Sequence, residues 1–434
     1  MNTRASSGLP QRTRWDAVLM LAGFAFLGHF NRVGISVVGK QLIAGGTFSE
    51  VEMGTIYSAF LLVYTICMLP GGWWIDRVGP AAALRWMGIG FGIGGILTGL
   101  LGWIGLAPAA LWWGLFVVRS AAGAMSTPLH PGAARGVSLW SSFGTRSTAN
   151  GLVTAGALVG IALTFPGFGG LINALGWPGA CIAGGGMLCG FAILWSFVAP
   201  PRDESPAEAN AGEPGTQRVG LGSLLKNRSL LLLTASYATV GYFQYLFFYW
   251  MEFYFGETLK LPESESRNAS FTVTMAMAAG MAVGGRCSDE LCVRFGVRWG
   301  RRMTALVGMG LSALFAVFGV AVSDPKLVVL LFSLALGSLG LCEGLFWTAS
   351  TELGGRIGGT ASAVLNTGGN LGGVIAPVLT PWLAESYGWT TAIGVACAIC
   401  AIGGGLWMGI APAASAEAAI EGCPAETPDG EPPG

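Results

Sequence analysis

Charged residues are scarce in this 434-residue chain: Asp, Glu, Lys and Arg make up 11% of it, while hydrophobic residues make up 53%. A soluble globule of this size needs far more polar side chains to cover its surface. The 23 basic residues balance the 23 acidic ones and form no dense cluster of the kind that binds nucleic acid. The composition therefore indicates a membrane protein and gives no reason to expect a nucleic-acid partner.

Histidine is also rare, with two residues in the chain, and the sequence contains no zinc-protease helix, no Walker loop and no nucleophile elbow. Cys397 and Cys400 have CxxC spacing, but no further Cys or His stands near them to complete a zinc site. We therefore interpret both cysteines as packing residues. We expect no metal, no cofactor and no enzymatic activity.

Long apolar stretches occupy most of the sequence, and each is long enough to cross a bilayer as a helix of about 20 residues. We count twelve of them, separated by short polar turns, and so predict an all-α membrane protein with twelve transmembrane helices. The first stretch is too long for the apolar part of a cleavable signal peptide. The stretches run approximately over residues 15–39, 53–75, 81–104, 108–140, 146–173, 177–199, 229–254, 268–287, 301–323, 326–351, 358–384 and 389–411.

The Lys and Arg residues are distributed unevenly between the two ends of these predicted helices. Seventeen of the 23 lie in the N-terminus, in the central loop or in the turns after even-numbered helices, four lie at the opposite end, and two lie inside helices. Cytoplasmic loops of membrane proteins carry the excess of positive charge. We therefore predict that both termini are cytoplasmic, and the compact loops favour the inner membrane of a bacterium.

A short motif occurs twice and divides the chain. The sequence GWWIDRVG at 72–79 follows helix 2, and GRCSDE at 285–290 follows helix 8, so that the two aspartates are 213 residues apart, close to half the chain. Between the halves, residues 201–221 are rich in Pro, Glu, Ala and Gly, a composition typical of flexible linkers. We predict a six-helix bundle over 1–200, a cytoplasmic linker over 201–228, a second six-helix bundle over 229–411 and a disordered acidic tail over 412–434.

Two arginines interrupt the apolar segments, Arg32 in helix 1 and Arg119 in helix 4. An arginine stays protonated at almost any pH, and placing it at the centre of a membrane costs about 2.5 to 3.5 kcal/mol. An anion that binds in a water-filled path between the helices would offset this cost. The alternative is a permanent internal ion pair with Glu343 in helix 10 or Glu252 in helix 7.

These features resemble a known family. The turn after helix 2, its degenerate copy after helix 8 and the six-plus-six layout resemble the major facilitator superfamily over nearly the whole chain. Five segments are similar to the anion:cation symporter family, which includes sugar-acid permeases and vesicular glutamate and sialate carriers. The resemblance implies secondary active transport of an organic anion by alternating access, with a midplane site at which Arg32 and Arg119 contact the substrate. The five segments are 29–37, 119–131, 242–254, 346–347 and 366–373.

The chain also departs from the proton-coupled relatives at three positions. Asn31 and Ser126 stand where those relatives carry acidic residues, and Ala157 replaces a glutamine of helix 5. Neither Asn nor Ser takes up a proton at physiological pH. Either the carboxylate that couples transport to an ion lies elsewhere, or the protein couples to something other than protons.

Three residues are candidates for ion coupling. Glu343 lies in an otherwise apolar run, and a carboxylate inside the membrane is costly enough to be a functional candidate by default. His130 lies 11 residues after Arg119, which we interpret as one stripe of a single helix, and a histidine titrates in the physiological range. Both histidines can equally be hydrogen-bonded core residues. Glu252 in helix 7 is the third candidate.

Further polar and aromatic residues in the predicted helices can complete a substrate site by supplying hydrogen bonds and aromatic walls. His29 belongs with them, because it lies three residues before Arg32 and shares its helix face. The others are Trp347 and Thr348 in helix 10, Asn370 in helix 11, and Tyr242 and Gln244 in helix 7.

The repeated turns supply candidate gating residues. Asp76 follows a helix C-terminus, and it can cap a neighbouring helix N-terminus or pair with Arg77 and Arg135 across the cytoplasmic face. Such contacts, with Asp289 as the counterpart in the second half, would latch one of two states. The alternative is a tight, charged turn that only sets the topology.

The sequence therefore predicts a secondary transporter of a small organic anion, a sugar acid or another carboxylate, in symport with a proton or sodium. We expect a monomer in the lipid bilayer. The alternatives are an exchanger of organophosphates or other anions, for which a second basic residue in helix 7 would be typical, and a permease-like sensor or a membrane enzyme.

Overall fold

The computed structural model describes residues 12–200, 221–414, 416 and 417, and within these ranges every regular element is a helix, with no strand. This confirms the predicted all-α class. Most of the predicted linker and tail, residues 201–220 and 418–434, lies outside the described residues.

The first half contains seven α-helices. Polar caps and helix-starting prolines begin several of them: the Ser49 side chain accepts from the Glu52 amide in a capping box before the second helix, and Pro80 and Pro108 begin the fourth and fifth. The helices are α1 (Trp15–Ala44), α2 (Glu50–Ile66), α3 (Met68–Val78), α4 (Pro80–Trp103), α5 (Pro108–Ser126), α6 (Leu129–Trp140) and α7 (Arg146–Val198).

The second half is described from residue 221 and repeats the pattern of long and broken helices. The helices are α8 (Leu221–Leu224), α9 (Arg228–Phe253), α10 (Glu263–Ala321), α11 (Pro325–Gly340), α12 (Glu343–Gly354), α13 (Gly358–Tyr387) and α14 (Trp389–Leu406). A π-helical turn, Tyr254–Thr258, continues α9, and 3-10 turns lie at Phe143–Thr145, Gly355–Ile357 and Trp407–Gly409.

The longest helices are each two helices joined at a glycine. Gly176 in α7 has φ 69° and Gly296 in α10 has φ 77°, a left-handed conformation that glycine adopts without steric cost. By length and composition seven of the described helices can cross a membrane, or eight when α2 and α3, bent by 52°, count as one span. Dividing α7 and α10 at these glycines and joining the broken pairs gives twelve segments at the predicted positions. Their number as membrane spans stays a prediction.

Besides the stretch that forms α2 and α3, two predicted helices are broken near their middle. The stretch 108–140 forms α5 and α6, separated at Thr127 and Pro128, because proline has no N–H and its ring clashes with the carbonyl four residues earlier. The stretch 326–351 forms α11 and α12, separated at 341–342. The second break makes Glu343 the first residue of a helix.

Large apolar side chains lie on the outside of the molecule as well as inside it. Leu62, Val117, Phe197, Val374 and Val378 are each at least 60% exposed, as expected of helices that face lipid. Inside, the apolar core forms two clusters built mostly from the first half and a third built mostly from the second. The polar residues that remain inside are concentrated where the two halves meet.

Candidate functional site

A cavity of about 570 Å³ lies between the two halves, lined by α1, α2, α5, α6 and α7 from the first half and by α9, α10, α12 and α13 from the second. This volume is in the range of small-molecule sites. The lining brings together five of the predicted titratable side chains, which come from α1, α5, α6 and α12: Arg32, Arg119, His29, His130 and Glu343.

Arg32 and Arg119 lie around one aromatic ring. The guanidinium carbon of Arg32 is 5.2 Å from the Phe60 ring centroid and 5.0 Å from that of Tyr64, and the guanidinium carbon of Arg119 is 4.7 Å from the Phe60 centroid. Phe60 and Tyr64 are one turn apart on α2, so they present stacked rings to both cations. Arginine stacks well on aromatic faces, which lowers the cost of its burial.

No carboxylate lies within ion-pair distance of either arginine in the described part of the chain. Arg119 is 5% exposed, donates to the backbone carbonyl of Arg32 over 3.3 Å, and has a buried Nε without an acceptor. The structure therefore does not contain the permanent ion pairs with Glu343 or Glu252 that were the alternative to anion binding.

Glu343 is buried and held by two donors of the second half. Its Oε1 accepts from the Tyr237 hydroxyl at 2.6 Å and from the Trp347 indole N–H at 3.0 Å, while its Oε2 has no hydrogen-bond partner. It is also the first residue of α12, where the helix dipole favours a negative charge. A buried carboxylate with one oxygen unused can take up a cation or a proton from the cavity.

The two histidines lie next to each other and connect the halves. Their ring centroids are 5.1 Å apart, and His130 stacks on Trp347 of α12 at 5.4 Å with an angle of 22° between the planes. The Nδ1 of His29 donates a hydrogen bond of 3.0 Å to the Ala25 carbonyl. Both rings line the cavity.

The predicted stripe of Arg119, Ser126 and His130 on a single helix is wrong, since α5 ends at Ser126 and His130 belongs to α6. Ser126 donates to the Gly123 carbonyl and does not line the cavity. Arg119 and His130 reach the same cavity because the break at Pro128 redirects the chain.

The other predicted substrate residues divide into two groups. Trp347, Gln244 and Asn370 line the cavity, and the buried Nδ2 of Asn370 has no partner. Thr348 accepts from Asn150 at 3.0 Å and Tyr242 lies 3.3 Å from the Thr380 hydroxyl, and neither lines the cavity. These two residues face neighbouring helices because the helical phase of α9 and α12 turns them away.

Glu252 lies outside the cavity as well. Its side chain is 54% exposed, and its Oε1 is 3.9 Å from the Nε of Arg267. A carboxylate at this position has ready access to solvent and no contact with the cavity arginines. We therefore do not include Glu252 in the site that we propose below.

Asp76 joins the end of α3 to the start of α13. Its carboxylate accepts from the amides of Gly359 and Thr360, both at 2.8 Å, and from the Thr360 hydroxyl at 2.7 Å. These amides are in the first turn of α13, where backbone N–H groups lack helical acceptors. Asp76 thus caps a helix of the other half, the first of the arrangements considered from the sequence.

Asp289 of the second half makes the equivalent contacts with a helix of the first half. It lies in α10 and accepts from the amides of Ser147 at 3.1 Å and Thr148 at 2.8 Å, and from the Thr148 hydroxyl at 2.7 Å. Both amides are in the first turn of α7. The repeated sequence motif therefore produces two matching helix caps, and we call the end of the molecule that contains them the latch face.

The predicted arginines of the latch face differ in their contacts. Arg135 has its Nε 3.8 Å from Asp76 and donates to the carbonyls of Gly355 and Arg356 at 2.8 and 3.1 Å, so it crosses between the halves. The guanidinium of Arg77 lies over the ring of Trp73, at 3.7 Å from its centroid, within the same helix.

Sequence analysis missed a buried charge cluster at this face. Glu352 pairs with Arg301 at 2.6 Å and with Arg146 of the first half at 3.5 Å. Glu352 was overlooked because it stands at the end of a predicted helix, where charges are common. The one signal for a buried ion pair in the sequence was the number of basic residues in the loops at the same end of the predicted helices.

Aromatic residues of the site were also missed. Phe60, Tyr64 and Tyr237 contact the charged groups of the cavity, and Asn366 donates to the Tyr64 hydroxyl at 2.9 Å between the halves. In an apolar segment such aromatic residues look the same as core residues. The polar contacts between the halves described above all lie at the middle of the molecule or at the latch face.

Comparisons with known proteins agree with this architecture. The family model described as Major Facilitator Superfamily matches residues 20–356 and 291–422. The chain is 25% identical to the probable sulfoacetate transporter SauU of Cupriavidus necator, over 87% of this chain and 89% of that protein. It is also 25% identical to the D-galactonate transporter of Escherichia coli, over 93% of this chain and 96% of that protein.

Solved structures with the same fold include the proton:xylose symporter XylE, with a TM-score of 0.72 and 13% identity over 94% of this chain and 98% of that one. A bacterial homologue of the iron transporter ferroportin, in an outward-facing state, has a TM-score of 0.64 and 15% identity over 91% and 98% of the two chains. These similarities concern the fold alone. Because the family model covers most of its length, the chain belongs to the Major Facilitator Superfamily, and it is an integral membrane transporter and not an enzyme.

Proposed function

We propose that the protein is a secondary active transporter that carries a small organic anion, a sugar acid or another carboxylate, by alternating access. The observation that carries this proposal is the pair of arginines, Arg32 and Arg119, that line one cavity between the halves without a carboxylate partner among the described residues. Guanidinium groups bind carboxylates through paired hydrogen bonds, so the cavity offers donors that an anion satisfies.

The named relatives support an anionic substrate. A sulfoacetate transporter and a D-galactonate transporter both act on small acids by their names. The second half adds Gln244 and Asn370 as hydrogen-bond donors or acceptors and Trp347 as an aromatic wall. Together with His29, these side chains would hold the rest of the substrate against the arginines.

The two caps support a gating role for the latch face. In our proposal Asp76, Arg135 and Asp289 hold the halves together there, and Arg77 stabilises the turn beside them. The excess of Lys and Arg at this end supports a cytoplasmic location by the positive-inside rule. In our proposal the latch face would then close the cavity to the cytoplasm, with both termini inside.

We further propose that Glu343 couples transport to an ion. Its free Oε2 in the shared cavity can receive a proton or contribute to a sodium site, and His130 is the second candidate because it stacks on Trp347 beside Glu343. A cation bound there would offset part of the charge of the arriving anion. This arrangement supports our proposal of symport of the anion with a proton or sodium.

The proposal includes the organisation inferred from sequence: twelve spans in two six-helix bundles, a monomer, and the inner membrane of a bacterium. The second candidate function is exchange of organophosphates or other anions. One relative is a sodium-dependent phosphate transport protein of Arabidopsis thaliana, with 24% identity. The cavity-lining residues of α9 named above include no cation, and we therefore favour the organic anion.

Counterflow in proteoliposomes tests the proposal. Vesicles preloaded with unlabelled D-galactonate or sulfoacetate should accumulate the labelled compound transiently, because a carrier exchanges substrate across the membrane without an ion gradient. Arg32→Ala should abolish counterflow of the transported compound. The matched control is Arg294→Ala, which removes an exposed arginine of the latch face.

The outcomes separate the possibilities. Loss in Arg32→Ala with normal transport in Arg294→Ala supports the site. Normal counterflow by Arg32→Ala would remove the site assignment, and absence of counterflow for every organic anion in the wild type, with exchange of phosphate esters, would favour the second candidate.

A further inference from the structure

We infer that the site selects a divalent organic anion, one with two acidic groups on a short chain, over a monovalent anion of the same shape. The inference rests on the proposed function and names the class of its substrate. It follows from the number of unpaired charges in the cavity, from their spacing and from the side chains near them.

The cavity holds more fixed positive charge than negative charge. Among the described residues that line the cavity, Arg32 and Arg119 are two permanent cations and Glu343 is the one carboxylate. The described contacts of Glu343 join it to Tyr237 and Trp347 and not to an arginine. When Glu343 is neutralised by the coupling proton or sodium proposed above, the arginines keep two positive charges for the ligand, and one monovalent anion neutralises only one of them.

The positions of the arginines suit two separate acidic groups. Both guanidinium carbons lie near the Phe60 ring, at 5.2 and 4.7 Å from its centroid, so they are at most about 10 Å apart. The side chain of Arg119 lies deeper, 5% exposed, with a buried Nε that has no acceptor. A buried donor without an acceptor is costly, which points to an acceptor supplied by the ligand at Arg119 in addition to one at Arg32.

Part of the lining is apolar and suits a short carbon chain between the two acidic groups. Phe60 lies close to both guanidinium groups, and α7 contributes the apolar Ala157, Leu158 and Ile161 to the lining. None of these side chains can hydrogen-bond a hydroxyl group. A ligand with two charged ends and a small apolar middle matches this surface, as in a sulfocarboxylate or a short dicarboxylate.

The test compares ligands that differ by one charge on the same skeleton. Binding of sulfoacetate and of its carboxyl methyl ester to the purified full-length protein is measured by calorimetry, and malonate is compared with monomethyl malonate in the same way. D-Galactonate serves as a monovalent sugar acid. A second charged contact should make each divalent acid bind roughly tenfold to a hundredfold more tightly than its ester.

Variants assign the charge preference to the arginines. Arg119→Gln should reduce the preference for the divalent acid to about onefold to threefold while retaining the ester. Arg119→Lys, which keeps the charge, should retain most of the preference. Arg294→Gln, at the surface, should behave as the wild type.

The results distinguish this inference from the proposed function. If the wild-type protein binds D-galactonate or the esters as tightly as the divalent acids, the inference is overturned while anion transport stands. If it binds none of these anions, the proposed function fails as well. The wild-type series decides the question even where Arg119→Gln does not fold.

Discussion

The hydrogen bonds of Asp76 at the latch face allow a quantitative prediction of how a substitution shifts the equilibrium between closed and open states. Asp76→Asn keeps the shape of the side chain but replaces one oxygen by an NH₂ group, which cannot accept the two hydrogen bonds that Thr360 donates to Oδ2. Hydrogen bonds to a charged group contribute about 1.5 to 3 kcal/mol each. A net loss of about 3 kcal/mol would shift the equilibrium between closed and open latch faces by a factor of about one hundred.

Hydrogen exchange with mass spectrometry measures this shift. A peptide that contains Gly359 and Thr360 reports on the Asp76 cap, and one that contains Ser147 and Thr148 reports on the Asp289 cap. If the halves separate as rigid bodies, Asp76→Asn should accelerate exchange in both peptides by up to about a hundredfold. Transport should become slower, with little change in substrate affinity.

The matched control is Glu290→Gln, which removes a neighbouring acid that is 55% exposed and contacts Arg294 in its own helix. It should leave both peptides unchanged. Faster exchange confined to the peptide with Gly359 and Thr360 would mean that Asp76 only caps a helix locally. Equal exchange in wild type and Asp76→Asn would refute the latch and leave the interpretation of a turn that sets topology.

Three other variants test the remaining parts of the account. Glu343→Gln should retain counterflow but lose pH-driven accumulation if Glu343 carries the proton, and unchanged accumulation would direct attention to the histidines. Asn370→Ala should weaken substrate binding about fivefold, since Asn370 lines the cavity and its buried Nδ2 has no other partner, and calorimetry with unchanged affinity would exclude the contact. Arg301→Ala leaves Glu352 with Arg146 as its one, more distant ion-pair partner and should destabilise the protein by about 3 to 5 kcal/mol. Its melting temperature should therefore fall well below that of the control Arg294→Ala. Equal melting temperatures would contradict a structural role for the cluster.

The sequence predicted the helical segments because apolar length alone distinguishes them from the turns. It did not predict the breaks inside them. Thr127 and Pro128 lie inside the long, mostly apolar stretch 108–140, and a single proline can kink a helix or end it. Helical spacing was therefore extended across this break, which led to the incorrect stripe from Arg119 to His130.

The arginines of the cavity could be found from the sequence because a permanent charge in an apolar segment needs a reason. The rings around them could not be found in this way. In the sequence, Phe60 and Tyr237 cannot be distinguished from aromatic residues that pack in the core. The contact of Phe60 with Arg32 and that of Tyr237 with Glu343 depend on how separate helices pack. The same limit applies to Thr348, whose neighbour Trp347 lines the cavity while Thr348 does not.

The latch face shows what a repeat can and cannot reveal. Two aspartates at equivalent positions predicted equivalent roles, and the structure gives Asp76 and Asp289 the same type of helix cap. Which helix each one caps depends on how the halves meet. That information was absent from the repeat, and so was the burial of Glu352 between Arg301 and Arg146.

The location of the bound anion tests the central claim most directly. Electron cryomicroscopy of the wild-type protein, saturated with whichever of D-galactonate and sulfoacetate binds more tightly, should show ligand density within hydrogen-bonding distance of the Arg32 and Arg119 guanidinium groups. Density elsewhere, with both arginines remote from the ligand or paired with Glu343, would contradict the claim that these arginines bind the transported anion.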